Sequence, residues 1–597
     1  MNHDFSITKN SKELVPVAKM ISYAVAVGVI SGIGAVLFLL SIEFLSAHVL
    51  SGVAGYYGGR PMGEMSVFKE SNRLFNPILL VLVTTLGGAL SGFLVYTFAP
   101  EAEGHGTDGA IDAYHNKKGF IKPIVPIIKM AASAITLGTG GSGGREGPIA
   151  QIGAGFGSFL GTKLKLSARD RRILLVCGMG SGVGAIFHSP MAGAIFGVEV
   201  LYRDLEMESE AFIYSIVASI VAYSVFSVVF GWHPLFNSPT FKFTNILELI
   251  PYTLLALAEG AFAVFYVTVF YGVRNFFRKI PIKPHFKPAI GGLLLGLIGI
   301  VEPDAISMGY GFLQNAMWAK VGFMSLLAVA VLKVFATSFT ISSGGSAGVF
   351  GPSMVIGGAL GGAAGMFSHF LFPSIIAHPG AFVLVGMAGF FSAAANTPLS
   401  TIIMVTEMVG NFQLVVPSLW VSFIAYTISQ RVTIYEKQVN SRSLSSAHKY
   451  EYMQDVLGTI TVKDLMEHDF ITVDKATHLS KIYKILSESK QTDLLVVDEN
   501  NELSGILTLQ ALKSTLSEEI MRNILVAGDL YNESVITTTE NESVFSLIHK
   551  IGFKEINTIP VVDYSNKKKI IGIVRRKDII KAYNDATDKL AKMRHTQ

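Results

Sequence analysis

Up to about residue 440 the chain is a succession of long apolar runs, and beyond it apolar and charged positions alternate at short range. The clearest runs are Ile21–Leu45, Pro77–Phe98, Ala211–Phe230, Pro251–Tyr271, Pro288–Ile300, Val321–Phe335 and Ala381–Ala395. A helix needs about 20 residues to cross a bilayer. Some runs reach that length. Others are short or interrupted by Gly and Pro, which predicts buried or re-entrant helices. The polar stretch "QVNSRSLSSAHKYEYM" then reads as a linker. The chain divides into an N-terminal segment expected in the cytoplasm (1–19), a membrane domain (20–440, halves about 20–232 and 250–440), a linker (441–460), two soluble copies (461–515 and 526–583) and a tail (584–597).

The membrane domain repeats itself. "TGGSGGREGPIAQIGAGFG" at 139–157 aligns without gaps to "SGGSAGVFGPSMVIGGALG" at 343–361. A second match follows in the same order, "GMGSGVGAIFHSPMAGAIFGVEV" at 178–200 with "GMAGFFSAAANTPLSTIIMVTEM" at 386–408. Paired Gly/Pro-interrupted segments in corresponding halves point to a transport site at the repeat interface.

Pro148 and Pro352 each follow a glycine-rich run and precede an apolar stretch, so each block reads as a loop entering a helix. Helix starts expose unpaired N–H groups and carry partial positive charge. Two of them meeting inside a membrane would bind an anion without a fixed cation, and weakly enough to release it. Glu146 carries a tethered anion at one of these starts. Ionised, it competes with an anion for the site; protonated or swung aside, it frees the site. The alternative is a structural pair with Arg145 or another cation.

Composition narrows the class. Half of the 597 residues are hydrophobic, 15% are charged, and mean hydropathy is +0.47. A soluble protein carries roughly 25% charged residues. The net charge of +4 and the lack of a long basic block argue against nucleic acid. A single cysteine, Cys177, excludes an intrachain disulfide. The first apolar run is too long for a cleavable signal peptide. No His-Glu-x-x-His run occurs, so an intramembrane zinc protease is not expected, and no enzymatic role is. A magnesium channel would need acidic cation sites where these helix starts favour anions.

Over about residues 15–440 the chain resembles the CLC family of chloride channels and chloride/proton exchangers. "GREGP" at 144–148, "GVFGP" at 348–352, "PMAGAIFGVEV" at 190–200 and "TPLSTIIMVTEM" at 397–408 carry the resemblance. It implies an α-helical polytopic membrane fold of two inverted-topology repeats with re-entrant helices, and a homodimer with one chloride pore per subunit. It implies Glu146 as the gating glutamate and backbone amides from Arg145, Gly147, Val349, Phe350 and Gly351 at the anion. Tyr435, in "RVTIYEKQ", matches a tyrosine that touches the central ion; otherwise it is an interfacial aromatic. Lys129 matches a buried lysine adding positive potential to the pore; otherwise it snorkels to the interface.

Two departures from the family stand out. The third anion motif, usually Gly-Ser-Gly-Ile-Pro, reads "GHGTD" at 104–108, with His105 in place of the serine and Asp108 in place of the proline. Imidazole can donate to chloride and respond to pH, or the ring can point away. The inner proton glutamate of exchangers falls on Val200. That favours channel-like or weakly coupled conduction, with Glu199 either an adjacent proton relay or a structural hydrogen-bonding group like its repeat-mate Glu407. The alternative is chloride/proton exchange by a different internal route.

Residues 461–583 hold two copies reading strand, helix, strand, strand, helix, and resemble a CBS domain pair. Such pairs often bind adenine nucleotides through Gly-x-x-Thr/Ser-x-x-Asp. The first copy, "GILTLQA", keeps Thr508 but has Ala511; the second, "GIVRRKD", keeps Asp578 but has Arg575, with Arg576 beside it. ATP, ADP or AMP binding and a purely structural, dimer-bracing role stay open. No cofactor is expected for transport itself. The resemblance implies an integral protein of the cell membrane with the CBS pair in the cytoplasm.

Overall fold

The computed structural model describes residues 11–448, 454, 456–489, 491–513, 524–552 and 556–595. Chain contacts divide it into two units at Arg442/Ser443. Most of the stretch read as a linker therefore groups with the second unit; its residues 449–453 and 455 lie outside the described residues, as do 1–10, 490, 514–515, 553–555 and 596–597 of the other segments.

The first unit is built from two sets of eight helices in the same order. The first set is α1 (Ser11–Leu45), α2 (Pro77–Phe98), α3 (Thr107–Asn116), α4 (Ile124–Gly138), α5 (Glu146–Lys163), α6 (Ala168–Ile186), α7 (Pro190–Glu199) and α8 (Ser209–Phe230). The second is α9 (Leu249–Lys279), α10 (Lys287–Val301), α11 (Tyr310–Met317), α12 (Phe323–Ser342), α13 (Phe350–Leu371), α14 (Gly380–Ala395), α15 (Pro398–Val409) and α16 (Val415–Ser429). Each apolar run of the sequence lies within one of these helices except Val321–Phe335, whose first two residues precede α12; most of the helices extend beyond their runs because flanking polar residues continue the turn. Thus α1 starts at Ser11, inside the segment read as a non-membrane N-terminus.

Local chemistry sets the boundaries. Pro77 opens α2 at a position where a missing N–H costs nothing, and the Asn76 side chain accepts from the N–H groups of Ile78 and Leu79. The short α3 and α11 follow Gly106 (φ 89°) and Gly309 (φ 81°), a backbone that residues with a Cβ adopt only under strain.

The two sets are inverted relative to each other, and hydrogen bonds show it. At the C-terminus of α7, the Glu199 carboxylate accepts from the N–H groups of Leu399 (2.9 Å) and Ser400 (2.8 Å) at the start of α15. On α15, Glu407 accepts from the N–H groups of Ala192 (3.0 Å) and Met191 (3.4 Å) at the start of α7. Each helix caps the N-terminus of its repeat-mate, which requires an antiparallel pair. Eight helical segments among the described residues are long and apolar enough to span a bilayer. Ile78 (77% exposed), Val228 (78%) and Val301 (76%) stand on outward faces that suit lipid.

The second unit is an α+β pair. In the first copy β1 (Thr472–Asp474) runs parallel to β2 (Asp493–Val497), and β2 pairs antiparallel with β3 (Leu503–Thr508). Helix α17 (Leu479–Glu488) covers them and α18 (Leu509–Lys513) follows. The second copy has α19 (Val544–Ile551), β4 (Thr558–Val562), β5 (Ile570–Arg575) and α20 (Arg576–His595). Its first strand, expected from the sequence, is reduced to a single bridge between Thr538 and Val561. Helix α20 also runs through residues read as a separate tail. The copies exchange edges: Glu467 bridges to Ile573 of β5 and Asn532 to Ile506 of β3. Leu495, Ile506 and Ile573 form the apolar cluster they share.

Candidate functional site

The glycine-rich blocks of the two repeats meet at the centre of the first unit. Gly144 donates its N–H to the Gly348 carbonyl and Gly348 donates back to Gly144, both at 2.7 Å. Helix α5 starts at Glu146 after Arg145, and α13 starts at Phe350 after Val349. Both helices therefore begin two residues before the proline expected to open them. Pro148 and Pro352 sit third, still within the turn whose N–H groups have no intrahelical acceptor. Glu146 and Phe350 are repeat-mates and both are buried. The Phe350 ring packs on Phe187 (4.9 Å between centroids) and Phe391 (3.9 Å), so this half of the cradle has an aromatic wall where the other has a carboxylate.

The Glu146 carboxylate reaches across to the second repeat. Its Oε2 accepts from the Gly351 N–H at 3.2 Å and its Oε1 accepts from the Tyr310 hydroxyl. The carboxylate thus sits on a helix-start amide of the kind that would hold an anion. Arg145 is not its ion-pair partner. That guanidinium, fully buried, pairs with Glu64 at 2.8 Å and lies 5.5 Å from the Tyr310 ring centroid. The adjacent charges of "RE" therefore point to different partners.

Below the helix starts lies the "GHGTD" turn. His105 is buried; its Nε2 is 3.1 Å from Asp108 Oδ2, and its ring is 5.3 Å from that of Tyr435. Its Nδ1 is buried without a hydrogen-bond partner among the described residues. With Nε2–H spent on Asp108, Nδ1 of a neutral ring is an acceptor and donates to an anion only when the ring is charged. Tyr435 is 1% exposed and packed inside the unit, so it is not an interfacial aromatic.

Lys129 does not snorkel. Its buried Nζ donates to the carbonyls of Ala102 (3.0 Å) and Gly104 (2.6 Å), fixing the turn that leads to His105. Lys333 does the same in the other half, donating to Ile306 (3.1 Å) and Ser307 (2.7 Å) before Tyr310. Val200 is buried and apolar. Glu199, beside it, is engaged by three donors: the two α15 amides and the Ser400 hydroxyl at 2.5 Å.

In the second unit the four residues considered for nucleotide binding are spread over three hollows. Thr508 lines a cleft of about 530 Å³ with Lys513, Asn532 and Asn557. Arg575 and Arg576 line another of about 310 Å³ with Gln491 and Lys577. Asp578 lines a separate groove with Asp464 and Lys581, and Arg575 is already paired with Glu467 at 3.0 Å. Between the two clefts, Asp493 at the start of β2 accepts from the Thr558 hydroxyl at the start of β4 (2.8 Å). Burial holds this carboxyl above the usual carboxylate range, although the hydroxyls of Thr558 and Thr492 oppose the shift.

Three groups at the site escaped the sequence reading. Lys333 was legible, standing as far from Gly348 as Lys129 stands from Gly144. Tyr310 had a weaker signal, as the first helical residue after a left-handed glycine, where the first repeat has Thr107. Glu64 lies in the loop after α1, and nothing local marks it.

A family model described as "Voltage gated chloride channel" matches residues 87–430, more than half of the chain, and one described as "CBS domain" matches 462–518 and 527–585. The chain is 28% identical over 341 residues to a "Putative chloride channel protein ClcB-like" of Ralstonia nicotianae, covering 56% of this chain and 79% of that protein. It is 29% identical over 351 residues to an "H(+)/Cl(-) exchange transporter ClcA" of Salmonella arizonae, covering 57% and 73% respectively. Among solved structures, a slow cyanobacterial Cl−/H+ antiporter superposes with a TM-score of 0.61 at 22% identity, covering 69% of this chain and 94% of that one.

Proposed function

Because the chain belongs to the voltage gated chloride channel family, with two CBS domains after the membrane unit, we propose that it carries chloride across the cell membrane through a pore in each subunit of a homodimer, with Glu146 as the gate. The observation that carries this reading is the Glu146 carboxylate on the Gly351 amide. A tethered anion occupies a donor that chloride would use. The other donors we assign to the ion are the amides at Arg145, Gly147, Val349 and Phe350, the Tyr435 hydroxyl, and His105 when its ring is charged. Lys129 adds positive potential from behind the turn.

Conduction is channel-like or weakly coupled. Val200 offers no proton acceptor at the inner position, and the Glu199 carboxylate is occupied as a cap for α15. A second reading, chloride/proton exchange by another internal route, is favoured by the similarity to a protein named as an H(+)/Cl(−) exchanger. Reconstituted protein under a chloride gradient separates the two. A reversal potential set by chloride alone supports conduction, and one that shifts with the pH gradient establishes exchange. The gate has its own test, since Glu146→Ala should raise chloride efflux from loaded vesicles. Unchanged efflux removes Glu146 from the role.

The CBS pair is assigned to the cytoplasm as a structural brace. Each copy keeps only half of its own nucleotide motif, the first with Ala511 in place of the aspartate and the second with Arg575 in place of the threonine, and Arg575 is engaged by Glu467.

A further inference from the structure

The gate is held by a side chain of the opposite repeat. We propose that Tyr310 is a latch: its phenol hydroxyl fixes the Glu146 carboxylate at the anion position, and chloride passes when that bond breaks. This rests on the reading of Glu146 as the gate.

The two carboxylate oxygens of Glu146 have different partners, and both partners come from the second repeat. Oε2 takes the Gly351 N–H and Oε1 takes the Tyr310 O–H. The amide belongs to the cradle and is there for any anion. The hydroxyl is an addition on a side chain, and it raises the cost of displacing Glu146 by one charge-assisted hydrogen bond. A Cβ built on Gly351 would fall 2.7 Å from the phenol oxygen and 3.3 Å from Glu146 Oε2. Hydroxyl, carboxylate and helix start thus converge on one spot, and only glycine leaves room for all three.

Tyr310 is also held rigidly enough to act as a positioning residue. It is 1% exposed. It starts α11 directly after Gly309, whose left-handed backbone turns the chain towards α5. Upstream of that glycine, the Lys333 ammonium clamps the carbonyls of Ile306 and Ser307. The ring stands edge-on to Phe236 (6.0 Å), and the Arg145 guanidinium lies 5.5 Å from its centroid. Arg145 is in turn fixed by Glu64. The positive guanidinium beside the ring favours a polarised O–H, which strengthens donation to a carboxylate.

The repeat makes the division of labour plain. The first residue of α5 is the gate, and the first residue of α11 is what it closes against. The corresponding residues are Phe350, which has no carboxylate, and Thr107, whose hydroxyl therefore has no gate to hold.

Tyr310→Phe keeps the ring and removes only the hydroxyl, so it isolates the latch. Chloride efflux from vesicles holding the reconstituted full chain should rise by about tenfold, the equilibrium equivalent of one lost bond to a charged acceptor. In a Glu146→Ala background the same substitution should leave efflux unchanged. A Tyr310→Phe effect that persists there overturns the latch, because the hydroxyl then acts on the ion itself. So does unchanged or lower efflux in the parent. Tyr310→Leu should reproduce the acceleration, which a role of the ring in packing would not. Equal efflux from the parent and Glu146→Ala alone would remove the gate, and the latch with it, a failure separate from that of the hydroxyl.

Discussion

Removing one member of the Arg145–Glu64 pair should cost far more stability than removing both. The Arg145 side chain is 1% exposed and that of Glu64 6%, with nitrogen and oxygen 2.8 Å apart. Two unit charges about 4 Å apart attract by about 4 kcal/mol at the effective dielectric suited to protein sites. Bringing both out of water offsets most of that gain. Glu64→Ala keeps the burial cost of the guanidinium and deletes its counter-charge. Arg145 Nε and Nη1 already lack hydrogen-bond partners among the described residues, so the pair with Glu64 is its main compensation. The expected loss is about 3–5 kcal/mol. Arg145→Ala strands Glu64 in the same way. Glu64→Leu with Arg145→Met removes both charges and should fall within about 1.5 kcal/mol of wild type. The loss is read as the shift in unfolding midpoint on titrating detergent-solubilised protein with SDS, followed by fluorescence of the three tryptophans, Trp232, Trp318 and Trp420, all in the first unit. There is a functional counterpart. Without Glu64, the Arg145 charge acts on its remaining neighbouring carboxylates, Glu43 and Glu146, which favours the ionised, closed gate, so chloride efflux should fall. Single variants costing under about 1 kcal/mol, or a double variant costing the sum of the singles, would refute the argument.

Ser400→Ala deletes the 2.5 Å hydroxyl contact to Glu199 and should cost about 1.5–3 kcal/mol in the same titration. Glu199→Gln should leave the proton-to-chloride ratio of transport unchanged, and a changed ratio would restore Glu199 as a relay. Burial raises the folded-state value of the Asp493 carboxyl above its unfolded value, so its ionised form works against folding. Relative to Asp493→Asn, the second unit should gain stability as pH falls through that raised range and level off below about pH 4. Hydrogen exchange of the β2 and β4 amides reads this, and a loss of protection on acidification contradicts it. Calorimetric titration of the full chain with ATP and AMP should stay flat, while saturable heat abolished by Arg576→Ala would make the 310 Å³ cleft a phosphate site.

Much of this molecule could be read along the chain. Apolar runs marked the membrane helices, since a bilayer admits little else. Gap-free repetition of "GGSGGREGP" and "GGSAGVFGP" placed the paired helix starts, and it set Glu146 apart as the one carboxylate in them. What escaped was whatever depended on a contact between distant segments. Nothing in "RE" says that Arg145 turns to Glu64 while Glu146 turns to Tyr310. Nothing in "GVEV" says that Glu199 caps a helix two hundred residues away. Asp578 kept a motif position and still faces a different groove from Arg576, because placement in a cleft depends on where helix α20 leaves strand β5.

The chain alone determined that this is a membrane protein of two repeated halves with an anion-type helix start in each, because hydropathy and periodicity are local properties. Only the tertiary structure decided which side chain closes on which start. Inversion brings the N-termini of α5 and α13 together, and the hydroxyl of Tyr310 reaches Glu146 from 164 residues away.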